Sequence, residues 1–199
     1  EAEIAMAVEI LFPNWLMFQC LDRFGAESSQ TRIEWYETVL EGTPEALRAG
    51  RADLAIMGKL PSGMAGELLM SVPFAPVAHP DHELHKHGRP LEFRDLRKHR
   101  HIVVRDTSVN RDKKALTLDA TRRWTVSNMS TSIGAVSRGY GFAWLPEDKI
   151  RTELQNGELK PLLMRDARNA LQPLYLVFAD RDGAGPGTLR LAEIIREEV

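Results

Sequence analysis

With 26 Lys or Arg against 28 Asp or Glu in 199 residues, the chain carries a formal charge of −2 and lacks the basic surplus that a phosphate backbone demands. Any DNA contact is therefore expected outside it. A hydrophobic content of 43%, with four Trp and seven Phe, excludes general disorder and suffices for one domain or two small ones.

The acidic start Glu1-Ala2-Glu3 lacks the basic region of an export signal, and residues 1–9 alternate loosely through Ile4, Met6 and Val8, which predicts a strand with one better-buried face. Pro13 fits the first position of a helix over 14–24. That helix is apolar almost all round, with Phe12, Leu16, Cys20 and Phe24 on one stripe and Met17 and Leu21 beside it. Cys20 is the single cysteine, so no internal disulfide is possible; in this run it reads as a small buried hydrophobe, which suits a reducing cytoplasm. No apolar stretch approaches the roughly 20 residues a membrane helix needs, so no membrane association is expected. A strand over 31–36, a short helix over 44–50 closed by Gly50, and a strand over 53–58 complete a β-α-β-α-β order, which predicts parallel strands.

Residues 68–79 form an extended run whose Pro73 and Pro76 suit an edge or crossing strand. A polar loop (81–91), a short helix (93–98) and a strand (101–104) follow, then a stretch without periodicity (106–119). Residues 126–146 carry the most information. A β-type run over 123–126 leads to Ser127 or Asn128 as helix cap, Ile133, Ala135 and Val136 give the helix its apolar side, Gly139 stops it, 142–145 is an apolar strand and Pro146 opens the next helix. In open α/β sheets ligands settle at strand carboxyl ends near helix N-termini, so Ser127, Asn128, Ser130 and Thr131 are candidate contacts; ordinary capping accounts equally for one or two of them. A helix over 147–154 ends near Asn156-Gly157, strands occupy 159–164 and 174–178, and a last helix starts at Pro186 with Leu189, Leu191, Ile194 and Ile195 on its buried side.

Several segments together resemble the effector-binding domain of LysR-type transcriptional regulators. They are Glu45-Ala46-Leu47-Arg48-Ala49-Gly50-Arg51-Ala52-Asp53-Leu54-Ala55-Ile56, Pro73-Phe74, Val77-Ala78-His79-Pro80-Asp81-His82-Glu83-Leu84 and Asp95-Leu96. Val126-Ser127-Asn128, Gly139-Tyr140-Gly141-Phe142-Ala143-Trp144-Leu145-Pro146, Gly157-Glu158-Leu159 and Leu174-Tyr175-Leu176-Val177 follow in the same order. The resemblance implies an α/β fold of two Rossmann-like lobes joined by two crossing strands, here 74–78 and 176–179, similar to type 2 periplasmic solute-binding proteins. Lobe one would be residues 1–75 plus 177–199, and lobe two residues 76–176. The winged helix-turn-helix and linker helix that precede this segment in the family have no counterpart in the chain, so promoter DNA is expected to be met only through a missing N-terminal domain.

Carried over by position, the resemblance implies an effector cleft lined by Glu9, Ile10 and Leu11, by Thr38 and Val39, by Arg105, Thr107 and Ser108, and by Ser127, Asn128 and Met129. Where many relatives place Ser or Thr after the first strand, this chain has Glu9-Ile10-Leu11. A carboxylate there disfavours an anionic ligand at that wall, while Arg105 would grip a carboxylate, which together suggest an amphipathic ligand, zwitterionic or amide-bearing. The competing reading pairs Glu9 with Arg105 or turns both to water. Trp15, Phe18, Ile33 and Trp35 would form the side-by-side dimer interface, giving a homodimer or tetramer. His79, His82, His85 and His87 have spacings seen in zinc or nickel sites, but without a closed tetrahedral pattern they read as a solvated loop, and no metal or cofactor is expected. Gly139-Tyr140-Gly141 leads into a strand and is not a dinucleotide fingerprint.

The leading functional reading is a sensor whose metabolite shifts the balance between arrangements of lobes and dimers. A solute-binding protein of a transport system shares the fold and is the alternative. An enzyme is disfavoured because no nucleophile elbow, phosphate loop, metalloprotease motif or acid/base pair occurs. A ligand-free dimerisation module is the remaining possibility.

Overall fold

The computed structural model describes residues 1–109, 120–166 and 171–199, so most of the aperiodic stretch at 106–119 lies outside the described residues. In chain order the elements are β1 (Glu3–Glu9), α1 (Asn14–Glu27), β2 (Arg32–Thr38), α2 (Gly42–Arg48), β3 (Leu54–Met57), β4 (Glu67–Ala78), a 3-10 turn (Glu83–Lys86), α3 (Phe93–Leu96), β5 (Arg100–Val104) and β6 (Arg122–Val126). They continue with α4 (Met129–Ser137), β7 (Phe142–Pro146), a 3-10 turn (Glu147–Ile150), α5 (Arg151–Asn156), β8 (Lys160–Pro161), β9 (Leu171–Phe178) and α6 (Pro186–Glu198). Two units share them. The first holds Glu1–Val72, the segment from Asp106 and Pro173–Val199; the second holds Pro73–Arg105 and the described residues between 120 and 172.

In the first unit β1 lies between β2 and β3 and is parallel to both, while β9 runs antiparallel to β3. The period-2 alternation puts Ile4, Met6 and Val8 on the face covered by α1 and α6, where Leu16, Met17, Cys20, Phe24, Leu191, Ile194 and Ile195 complete the core. The other face is buried too: Ala7 and Ala55 pack with Ala46 and Leu47 of α2. Small residues allow that close helix approach, which is why the strand has two buried faces where the alternation suggested one. Pro13 stands just before α1 and not at its first position, whereas Pro186 does open α6. The N-terminal turn of α6 is held by Glu1, whose two carboxylate oxygens accept from Thr188 N at 2.9 Å and Thr188 Oγ1 at 2.8 Å. Leu189 is exposed, because Leu191, Ile194 and Ile195 already fill the buried stripe.

In the second unit β5 lies between β6 and β7, parallel to both, and β7 pairs antiparallel with β4. Here β4 is no edge strand. Pro76 pairs with Trp144 on one side, and on the other β8 pairs with Val77 and Ala78 while Leu162 N donates to Pro76 O at 2.8 Å. Proline lacks only the donor, so its carbonyl still joins the ladder. The strand expected over 159–164 shrinks to Lys160–Pro161, with Leu159 and Leu162 turned into cores on opposite sides. The supposed polar loop after β4 contains a 3-10 turn because His82 Nδ1 accepts from Leu84 N at 3.1 Å and Leu84 is buried.

Candidate functional site

Parallel pairing of β1 and β2 sets their carboxyl ends side by side, with Glu9 opposite Thr38 and Ile10 N donating to Thr38 O at 3.0 Å. Glu9 is only 5% exposed, and its Oε2 accepts from Leu40 N at 3.0 Å. Leu40 holds φ at 53°, a left-handed conformation uncommon for a leucine, at the bend that brings its N–H to the carboxylate. Burial pushes the Glu9 carboxyl up to about 8; the backbone N–H groups of Leu40 and Ile10 pull it back, and the Asp106 charge adds to the rise. Near neutral pH Glu9 is therefore chiefly the acid. The wall read from the sequence as a repelling carboxylate is thus held mainly neutral.

The segment from Asp106 docks on these strand ends. Thr107 N donates to Val39 O at 3.2 Å, and Thr107 Oγ1 accepts from Val39 N at 2.9 Å. Gly42 permits it: a Cβ there would lie 1.8 Å from Thr107 Oγ1 and 2.9 Å from the Thr107 carbonyl carbon. Thr38 and Thr43 hydroxyls lie 2.8 Å apart, and Val109 N donates to Glu45 Oε2 at 2.9 Å. Asp106 is buried and its Oδ1 accepts from Ser108 N at 2.8 Å, but its Oδ2 and the Ser108 hydroxyl are buried with no hydrogen-bond partner among the described residues. Such atoms are rare in folded proteins and costly unless something else satisfies them.

In the second unit β5 and β6 also end together, and Arg105 N donates to Val126 O at 2.8 Å. The Arg105 side chain is exposed and forms no ion pair within its unit among the described residues. Asn128 is the cap of α4: its Oδ1 accepts from Thr131 N at 2.8 Å and Ser130 Oγ at 2.9 Å. Capping thus occupies that oxygen, and Ser127 and Asn128 are both exposed. Met129, like Leu11 in the first unit, packs partly against its core.

Sequence reasoning missed Asp106, Gly42 and Leu40. Asp106 had a signal, being one residue past a candidate at a strand's carboxyl end; Gly42 had none, because its partner Thr107 is 65 positions away. Of the four aromatic-face residues, Trp15 and Phe18 are exposed, Ile33 and Trp35 are half-buried, and Phe18 meets Trp35 edge-on at 5.8 Å. His79 and His82 each spend Nδ1 on a local backbone N–H, and the His82 ring lies 5.1 Å from that of His99. Among the described residues no group of three or more His, Cys, Asp or Glu could hold a metal ion. Burial drives the Cys20 thiol up to about 11, so it is inert.

The sequence pattern described as LysR substrate binding domain matches residues 1–199. The chain belongs to this family. The probable HTH-type transcriptional regulator YhaJ of Escherichia coli strain K12 is 30% identical over 167 residues, covering 80% of this LysR-type domain and 55% of that relative. The domain thus spans about half the length of the curated relatives it matches. Among solved structures, the regulatory domain of MetR from N. meningitidis superposes with a TM-score of 0.74 at 19% identity, covering 98% of this chain and 93% of that one. The BenM effector-binding domain with its effector benzoate gives 0.66 at 20%, covering 98% and 90%. The fold is the periplasmic-binding-protein-like α/β fold of LysR regulatory domains, and the family is one of transcriptional regulators, not enzymes. No helix among the described residues is long and apolar enough to cross a membrane.

Proposed function

We propose that this LysR-type domain senses a small zwitterionic effector in a cleft between lobe one (1–75 plus 177–199) and lobe two (76–176). The event passes through a homodimer or tetramer to an N-terminal helix-turn-helix domain on promoter DNA in the cytoplasm. The observation that carries this reading is the pair of buried polar atoms, Asp106 Oδ2 and Ser108 Oγ, that have no partner among the described residues, at the strand ends that also hold Glu9. An ammonium group would satisfy both and turn the Asp106 charge from a cost into an attraction. The exposed Arg105 guanidinium, with the positive end of α4 beyond Asn128, suits the ligand's carboxylate. BenM, of similar fold, takes benzoate, a carboxylate. Trp15 and Phe18, with Ile33 and Trp35 behind them, offer the exposed aromatic face that a two-fold mate would cover. The HTH-type relatives favour this reading over a transport protein.

A thermal-shift screen of amino-acid-like metabolites tests it. A zwitterion at about 100 times its dissociation constant adds about 2.7 kcal/mol, roughly 5 to 10 °C for a chain of this size. D106N, which keeps the Oδ1 acceptor, and R105E are each expected to weaken that ligand at least about tenfold. Equal stabilisation of all three proteins contradicts the proposal.

A further inference from the structure

On the first unit, away from the strand ends that hold Glu9, a groove of about 740 Å³ runs between the end of α2, the loop before β4 and the end of β9. Its aliphatic side comes from Leu47, Met64 and Val177. Gly66 makes this wall possible, since a Cβ there would lie 2.5 Å from Leu60 Cδ2 and 2.8 Å from Val177 Cγ2; only a bare backbone can press the loop onto β9. The wall is a packed feature of the fold.

The charges around the groove are unequally matched. Glu67 is held by Arg196 through Nε at 2.8 Å, and Asp180 Oδ1 accepts from Asp182 N and Gly183 N, both at 3.1 Å. The acidic groups at the groove are thus engaged. Arg196 and Arg181 also lie over the Phe178 ring, at 5.9 and 5.6 Å from its centre, which keeps that aromatic surface engaged. Arg48 and Arg181 are exposed and belong to no ion pair among the described residues. What is left for a ligand is an aliphatic wall with two guanidinium groups at its lip that form no ion pair among the described residues.

We infer that this groove is a second ligand site, taking a medium-chain aliphatic carboxylate whose tail lies on Leu47, Met64 and Val177 and whose carboxylate is held by Arg48 and Arg181. Apolar wall plus a few polar groups is the common build of small-molecule sites, and guanidinium groups suit a planar anion. One end of α2 (Leu47, Arg48) lines this groove, and the other (Gly42, Thr43) belongs to the strand-end cluster. The inference does not depend on the effector reading, because every residue named lies in the first unit and none contacts Asp106.

Octanoate is the probe, with 1-octanol and octylammonium as neutral and cationic controls, read by calorimetry and by the Met64 methyl resonance. Octanoate is expected to shift that resonance and to bind at least about tenfold tighter than either control. R48E/R181E, and the milder R48Q/R181Q should the reversal unfold, are expected to lower octanoate affinity at least about tenfold and leave octanol unchanged, whereas D106N has no effect. Equal binding of the three probes, a silent Met64, or unchanged octanoate affinity in the arginine variants overturns it.

Discussion

Replacing Glu9 with Gln raises the melting temperature by several degrees near pH 9 and leaves it close to the wild-type value only below the ordinary carboxylate pKa, near pH 4. The cause is the buried carboxyl, raised from 4.5 to about 8 by desolvation against the opposing help of the Leu40 and Ile10 N–H groups. Between those values the folded chain holds a proton that the unfolded chain has released. Stability conferred by the neutral acid is complete below 4.5, declines as pH rises and is lost above about 8. The shift sets a ceiling on the order of 5 kcal/mol; relaxation around a charged Glu9 brings the realistic difference to about 2 kcal/mol, or roughly 4 to 8 °C. Gln keeps the shape and the Leu40 contact and never ionises. His82, His85, His99 and His101, all lowered mainly by burial, destabilise both proteins alike as pH falls, so the comparison isolates Glu9. Calorimetry across the range checks it, and a difference independent of pH contradicts it.

A Gly141→Ala exchange is expected to cost about 2 to 3 kcal/mol, a severe effect for one methyl group. Its Cβ would lie 2.4 Å from the Arg100 carbonyl oxygen and 3.2 Å from Ile102 Cγ1, so β5 and β7 must part where they pair, His101 opposite Phe142. Gly139, two residues earlier, is glycine for another reason: φ is 81° where α4 stops. Gly25 provides the control. It sits inside α1 with nothing within 4 Å of an added Cβ, so Gly25→Ala is expected to gain about 0.5 to 1 kcal/mol of helix stability. Urea midpoints separate the two variants from the parent, and a Gly141→Ala protein as stable as the parent removes the close-approach account.

What could be read from the chain depended on how local the cause was. Helix and strand periods, the glycine stop at Gly139 and the proline start at Pro186 are local, and the corresponding elements stand where expected. The resemblance named the family and its fold because ordered motifs integrate many weak signals. Pairing across the sheet was not legible: nothing near Pro76 announces that Leu162 N will use its carbonyl, and nothing near Pro161 announces so short a strand. At the strand ends, the hydroxyls of Thr38, Thr107 and Ser108 were visible as chemistry. The docking of Thr107 on Val39 and Gly42, the burial of Glu9 that removes its expected charge, and the Asp106 oxygen left without a partner among the described residues are products of long-range packing with no local signature.

The most direct measurement is backbone amide NMR of the domain titrated with a stabilising zwitterion. Perturbations are expected at Leu40, Val39, Thr107 and Ser108 together with Arg105 and the turn from Ser127 to Thr131. Perturbations confined to the groove around Phe178, or scattered over the exposed face at Trp15 and Phe18, contradict the sensor account.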